Sequence, residues 1–467
     1  MEFYFLYSLY ALFGYNPVPY HIAKSIAHGL LALVFFLLIK EVTASSKFAF
    51  VASVFYSMSG SAVYSSMWIT NFETIAEVFF IGGLVMFLRY LRKSGESGSV
   101  SSGYLLLLGL VLATLFGSWF KDTGRGLPLV LVGYTLLFVR TKATRALLVS
   151  LALSLLIALF PSFIPMFLNG NLAASGQTGL GASVLPLLLQ NAEHNLVYVV
   201  FQVGSVSALL GLLCLKYCGT GRLRLVGLPV VWFLATFLPT SIAQAPRLDL
   251  VLAPTTAIFA GVLVLTYSAL IKAKSRRNRR LVLAALLIYA LLVQGSWLVF
   301  TDQVWGTYWS EGKQVQDWAF ANIRNGTVVF DSAVGENDAF PLGSFNSVTY
   351  TQELDALAAG QPPIYACTRT QSALQETIAA HQDSYKLVYS HEKDVWYVNL
   401  EPGRWFFGQG FHKAGLIIHE SFQMRCWLKT GQSTLQTALK PPPTILSLTK
   451  AELPSKLPRA LESSFTN

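Results

Sequence analysis

Ten apolar segments fill the first three hundred residues, at approximately 19–41, 47–67, 72–91, 103–120, 126–140, 145–168, 195–216, 225–243, 250–271 and 281–300. Most approach the roughly 20 residues that cross a bilayer as a helix. This periodic return of apolar sequence restricts the fold severely. Inside lipid every backbone polar group must be satisfied within its own segment, so spans of this kind are helices. Residues 301–467 have the polar, mixed composition of a soluble chain. The expected fold is an all-α polytopic membrane bundle of about 10 transmembrane helices with a small C-terminal α/β external domain.

The loops between the segments alternate in positive charge. Seventeen Lys and Arg residues fall on one side, from Lys40 and Lys47 through Arg89, Arg140 and Lys216 to the run Lys272–Arg280. The other side offers only Lys24, Lys121, Arg125 and Arg247 before the polar tail. The basic side is cytoplasmic by the positive-inside rule, which places both the N-terminus and the C-terminal domain on the non-cytoplasmic side. The net charge of +10 is therefore mostly topological. The Lys272–Arg280 run reads as an orienting loop beside anionic lipid, not as a nucleic-acid patch. Only 12% of residues are charged, about half the share of a soluble protein.

Four parts follow: an interfacial aromatic segment at 1–18, the transmembrane domain at 19–300, the external α/β domain at 301–400, and a C-terminal tail at 401–467, disordered in part. The first is rich in Phe and Tyr, rings that favour the membrane–water interface. In the external domain helices are expected near 311–323, 352–359 and 370–381. Strands are expected at 327–331, 363–367, 386–390 and 395–399. Cys214 and Cys218 read as packing residues; Cys367 and Cys426 both fall on the external side, where they could pair.

Four motifs in order carry a resemblance. The stretch Phe13-Gly14-Tyr15-Asn16-Pro17-Val18-Pro19-Tyr20-His21, with His28 beyond it, resembles the "FGxNPxxYHxxNxxxH" segment of the GT-C glycosyltransferases. Trp68-Ile69-Thr70-Asn71-Phe72-Glu73-Thr74-Ile75-Ala76 is similar to that family's "WxSGRxELLA" turn. Ser118-Trp119-Phe120-Lys121-Asp122-Thr123-Gly124 with Leu127-Pro128 resembles its "SKExGxxLP", and Phe237-Leu238-Pro239-Thr240 with Arg247 its later "LLP…R". The likeness is to the branch like the protein O-mannosyltransferases and covers about residues 5–300. Lys24 stands where the family has Asn. The family's principal catalytic carboxylate lies on an external loop ahead of the surface helix, upstream of where this sequence starts. An additional helix and acidic loop are therefore expected in the full gene, and enzymatic activity depends on them.

The resemblance implies sugar transfer from a polyprenyl-phosphate donor to a lipid, glycan or protein acceptor, with inversion, in a bacterial inner membrane. Such chemistry needs a carboxylate to take the acceptor proton and cations to hold the departing phosphate. Glu73, with Glu77 one turn deeper, is the candidate acceptor-binding group or auxiliary base; the alternative is that Glu73 caps its helix at the positive end of the dipole, with Glu77 paired to a neighbouring helix. His21 and His28, seven apart on one helix, read as cavity liners or as interhelical hydrogen-bonding residues. Lys121, Asp122 and Arg125, and Arg247 with Asp249, are the candidate lipid-phosphate ligands, against the alternative of solvated loops. No metal spacing and no cofactor motif accompanies them, and a requirement for a divalent ion is left open. Two rival functions stand beside the transferase: a non-catalytic lipid-sugar binding or scaffolding protein, and a transporter or flippase.

Overall fold

Proline sets the start of the first long helix. The computed structural model describes residues 2–13, 17–67, 72–96, 101–139, 145–169, 192, 196, 199, 223–243, 252–272, 275–289, 306–330, 343–345, 347–351, 354–359, 362–369, 373–398 and 416–430. Helix α1 (Glu2–Phe13) precedes α2 (Pro17–Thr43), whose first residue has no N–H to leave unpaired. The 27 residues of α2 extend about 40 Å at 1.5 Å each. Ala44, in the left-handed region at φ 55°, ends it. Ser45 then caps α3 (Ser46–Ser57) by accepting the Phe48 N–H.

The segment expected to cross at 47–67 is not one helix. It breaks after α3 and resumes as α4 (Gly60–Met67). The run Ser57-Met58-Ser59-Gly60-Ser61 accounts for the break: Ser59 accepts the Ala62 N–H as a cap, and caps and glycine stop helices that apolar content alone would continue.

Beyond it come α5 (Glu73–Glu96), α6 (Ser101–Phe120), a 3₁₀ turn (Asp122–Arg125), α7 (Gly126–Phe138) and α8 (Arg145–Asn169). The remaining described helices of this unit are α9 (Leu223–Ala243), α10 (Leu252–Lys272) and α11 (Arg276–Tyr289). Among the described residues four helical stretches are long and apolar enough to cross a membrane: Val18–Thr43, Glu73–Ser94, Gly103–Phe120 and Leu252–Ile271. This is fewer than the ten expected. The 47–67 segment is interrupted and α7 is only 13 residues long. The 195–216 segment lies outside the described residues, apart from 196 and 199, and so does 281–300 beyond 289.

The core of this unit is aromatic. Phe35 of α2 stacks on Tyr56 of α3 at 4.0 Å between centroids, and Phe80 of α5 stacks on Trp232 of α9 at 5.3 Å. The contacts at both ends fix the relative direction of α2 and α5: the Glu41 carboxylate, near the end of α2, accepts Arg89 Nε at 2.7 Å and pairs with Arg92 Nη1 at 2.9 Å near the end of α5. At their other ends Lys24 lies over the Phe72 ring, so the two helices are parallel. Gly124 of the 3₁₀ turn sits so close to Gly117 of α6 that a Cβ there would meet the Gly117 carbonyl carbon at 2.2 Å. Side chains on the outer faces of α6, α7 and α8 are apolar and exposed, among them Leu105, Leu108, Leu136, Leu137, Val149 and Leu156.

The polar C-terminal part builds α12 (Gly306–Asn322), β1 (Gly326–Phe330), β2 (Gly343–Phe345), β3 (Val348–Thr351), α13 (Ala356–Ala359), β4 (Ile364–Arg369), α14 (Ala373–Ala380), β5 (Tyr385–Val398) and β6 (Ile417–Lys429). The six strands form one sheet in the order β2-β3-β1-β4-β6-β5. Strand β1 lies parallel to both β3 and β4, whereas β2 and β6 run antiparallel to β3 and β4 respectively. Alternation along the strands serves both faces. On one, Val328, Phe330, Tyr365, Cys367 and Cys426 pack under Val315 and Ala319 of α12 and Ile323 just beyond it. On the other, Val329, Ile364 and Ala366 pack under Leu357 of α13 and Leu374 and Ile378 of α14. Gly326 begins β1 at φ +103°, and a Cβ there would lie 2.0 Å from the Pro363 carbonyl oxygen, so no other residue fits.

Three expectations change here. The strands expected at 386–390 and 395–399 are one continuous strand, β5. Strands β2 and β3 add to the expected set. The α/β domain expected at 301–400 does not stop at residue 400, since β6 comes from the segment read as tail and lies between β4 and β5. Cys367 and Cys426 are direct cross-strand neighbours and form a disulfide. The chain divides into two compact units, Met1–Gly306 with Val395–Glu420, and Thr307–Asp394 with Ser421–Asn467.

Candidate functional site

Burying a carboxylate without compensation costs far more than burying a hydroxyl, so the two acids that open α5 command notice. Glu73 is 0% exposed and Glu77 1% exposed. Their spacing of four residues puts both on one helix face. Glu77 lies beside the Thr256 hydroxyl of α10 and interacts electrostatically with Glu73. Thr256 also meets the Tyr56 hydroxyl, at 3.0 Å. Because the Thr256 hydroxyl donates to the Leu252 carbonyl, its single proton is committed, and Tyr56 is the donor to Thr256. Tyr56 stands two residues before the break between α3 and α4. Non-helical backbone inside a membrane bundle is tolerated where protein or a wet cavity surrounds it, and this break lies beside the buried acids.

Around them the polar burial continues. Lys24 of α2 is 3% exposed, its ammonium 5.9 Å from the centroid of the Phe72 ring. His28 is half-buried, with Nδ1 2.7 Å from Ser66 Oγ of α4. The Ser66 hydroxyl donates to the Ala62 carbonyl, so the imidazole donates to Ser66 from Nδ1. Among the described residues, Glu77 Oε1, Thr74 Oγ1, Ser65 Oγ and Ser118 Oγ are buried with no hydrogen-bond partner. Each such orphan costs about 1–3 kcal/mol, which a polar ligand or water would offset.

An aromatic wall closes the same end. Phe72 stacks on Phe120, Phe120 on Phe79, and Phe5 of α1 meets both Phe72 and Phe120 edge-on. Lys121 follows Phe120 directly. The 3₁₀ turn that carries Arg125 packs against α5 and α6.

The sequence-derived candidates therefore divide. Glu73 and His28 turn into the bundle. Lys121 and Arg125 are half-buried at the same end of α5 and α6. His21 does not share the burial of His28: it is exposed, and the described side chains of α2 from Val18 to Ala23 are all exposed or only half-buried. The expected pair of histidine liners reduces to one. Asp122 lies in the 3₁₀ turn, its side chain outside the described residues, as are Arg247 and Asp249 altogether. Lys24, Tyr56 and Thr256 join the site without having been expected there. The signal for Tyr56 was present in the Ser-Gly-Ser interruption just after it; Thr256 gave none, because its relevance depends on α10 crossing α3.

The C-terminal unit has a smaller polar pair. Glu311 of α12 is 1% exposed and bonds His391 Nδ1 of β5 through Oε2. Tyr389 lies beside it, and burial, with the Glu311 charge second, raises the Tyr389 hydroxyl above its ordinary value. Among the described residues no group of three or more His, Cys, Asp or Glu is placed to hold a metal ion.

These features define a helical protein with membrane-length apolar helices, a buried acidic pair at one helix end, and a disulfide-linked α/β unit. No protein-family model, curated protein or solved structure matches the chain.

Proposed function

We propose that this chain is an integral-membrane glycosyltransferase that moves a sugar from a polyprenyl-phosphate donor to an acceptor on the non-cytoplasmic face. The observation that carries the reading is the fully buried pair Glu73 and Glu77 at the end of a membrane-length helix, with Lys24 buried over the adjacent Phe72 ring and the unpartnered Thr74 hydroxyl between them in sequence. Ionisable groups within apolar helices mark functional positions. A carboxylate there takes the acceptor hydroxyl proton as attack on the sugar develops, and Lys24, Lys121 and Arg125 supply positive charge for the phosphate that leaves. The Phe72–Phe120 wall suits an apolar polyprenyl tail. Three of the four motifs similar to GT-C sequences include residues of these segments: His28 of α2, Glu73 of α5, and Lys121 beside the 3₁₀ turn. The Cys367–Cys426 disulfide agrees with an oxidising, non-cytoplasmic location for the C-terminal unit, and a bacterial inner membrane fits the loop charges.

Reconstitution of the full-length protein with radiolabelled undecaprenyl-phosphate sugar tests this. Transfer of label to an acceptor, reduced at least about 100-fold by Glu73→Gln as loss of a general base requires, supports the proposal. Equal rates in that variant remove Glu73 from the chemistry. Retention of the donor without transfer identifies a non-catalytic binding protein.

A second reading, a transporter or flippase, draws on the interruption between α3 and α4 near Glu77, since broken helices beside buried acids form transport sites. Movement of the lipid-linked sugar across the bilayer without transfer distinguishes it.

A further inference from the structure

A cavity of about 600 Å³ opens between α3, α10 and α11, away from the buried acids. That volume falls in the about 300–1,000 Å³ range of small-molecule sites. Its walls are apolar: Phe48 and Val51 of α3, Ile271 of α10 and Leu283 of α11, with Tyr267 and Lys47 adding the polar groups. Val51, Ile271 and Leu283 are each more than two-fifths exposed, at 43%, 48% and 51%. The lining is graded along the helices. Lys47 belongs to the first turn of α3, Ile271 to the last turn of α10, and Leu283 lies two turns into α11, so cation and hydrocarbon occupy successive depths. Arg277 and Arg280, and Arg280 and Leu283, are each three residues apart, which makes each pair neighbours on the surface of α11. Arg277, Arg280 and Lys47 are all accessible to solvent.

We infer that this groove binds one anionic phospholipid, with the phosphate between Lys47 and Arg280 and an acyl chain against Val51, Phe48 and Leu283. The inference rests on the membrane-spanning reading but not on sugar transfer. Charge complementarity selects the occupant. Basic pockets between membrane helices on the cytoplasmic side take acidic head groups, and these cations belong to the loops that the positive-inside rule assigns to the cytoplasm. A neutral lipid would fill the apolar part and leave the three cations unanswered. A soluble phosphate would satisfy the cations and leave the apolar wall bare.

Native mass spectrometry of the full-length protein in detergent, titrated with dioleoyl phosphatidylglycerol or dioleoyl phosphatidylcholine, reads the site directly. The expected result is one phosphatidylglycerol held at least tenfold more tightly than phosphatidylcholine. Val51→Trp, which fills the groove from an exposed position, lowers phosphatidylglycerol affinity at least tenfold. The paired change Lys47→Gln with Arg280→Gln removes the preference between the two lipids. Excess glycerol phosphate leaves the lipid bound. Equal affinity for the two lipids in the unaltered protein, full retention in both Val51→Trp and Leu283→Trp, or displacement by glycerol phosphate would overturn the site. Extraction from cells separates the two levels of argument. A chain that needs detergent but shows no lipid preference refutes the groove alone, and one soluble without detergent refutes the membrane reading as well.

Discussion

Opening the Cys367–Cys426 bridge should weaken the C-terminal unit by an amount that the chain itself fixes. The two cysteines are 59 residues apart in sequence and face each other across β4 and β6. Adjacent strands already hold them together in the folded state, so the cross-link acts mainly on the unfolded chain. Closing a loop of that length removes entropy worth about 4 kcal/mol at 25 °C on the chain-entropy relation. With a urea dependence of about 2 kcal/mol per molar for a unit of this size, the midpoint should fall by about 2 M. Pulse proteolysis of the full-length protein in detergent across a urea series measures this through survival of the band that contains the sheet. Reduced protein and the double variant Cys367→Ala/Cys426→Ala should unfold together, well below the oxidised protein. The double variant also loses two buried sulfur atoms and so falls slightly further. Oxidised and reduced midpoints that coincide within about 0.3 M would refute the reasoning, because β6 would then be held without help from the cross-link.

Three further outcomes are expected. Gly124→Ala forces a Cβ onto the Gly117 carbonyl and should cost more than about 2 kcal/mol, whereas Gly82→Ala, with nothing within 4 Å, should be neutral or up to about 1 kcal/mol more stable; thermal melts in detergent compare them. Glu41→Gln removes the partner of Arg89 and Arg92 at the ends of α2 and α5, and because both guanidinium groups are partly exposed the loss should be only about 1 kcal/mol and shrink in high salt. Burial pushes the Tyr350 hydroxyl up to about 12 from its ordinary value of 10.0. A raised folded-state value means its stabilising effect is complete below pH 10 and lost as the pH climbs through about 12; an absorbance titration should show a late-ionising tyrosine that Tyr350→Phe abolishes.

Much of the architecture was readable from local signals. The helix at 311–323, the strands at 327–331 and 363–367 and the helix near 370–381 each carry a run of one periodicity bounded by turn residues, and each is found within a few residues of its expected place. The long apolar helices α2, α5, α6 and α10 were equally plain, since a continuous apolar run of about 20 residues is the length a helix needs to cross a bilayer. Strands β2 and β3 left weaker traces. They have three and four residues, and what keeps them in place is the pairing of β3 with β1 and of β2 with β3. The interior of β5, His391-Glu392-Lys393-Asp394, looks like a turn because it is polar. It stays extended because β6 lies alongside it, and Ser421 and Gln423 of β6 donate to the Glu392 carboxylate.

The candidate site divides in the same way. Glu73, Glu77 and His28 were legible because an ionisable side chain in an apolar helix is costly wherever it points. Whether it points inward was not legible: i, i+7 spacing gives His21 and His28 a common face, yet only the second lies where neighbouring helices cover α2.

The sequence alone determined the long apolar helices described in the first three hundred residues, where the cations cluster between apolar segments, and where the scarce acids fall, because hydrophobicity and charge belong to each residue wherever it sits. Only the tertiary structure decided that Tyr56 and Thr256 meet beside Glu77, that 47–67 is broken, and that Cys426 joins Cys367 within one sheet. Those facts depend on which distant segments become neighbours, through packing between helices and hydrogen bonds between strands that no single segment encodes.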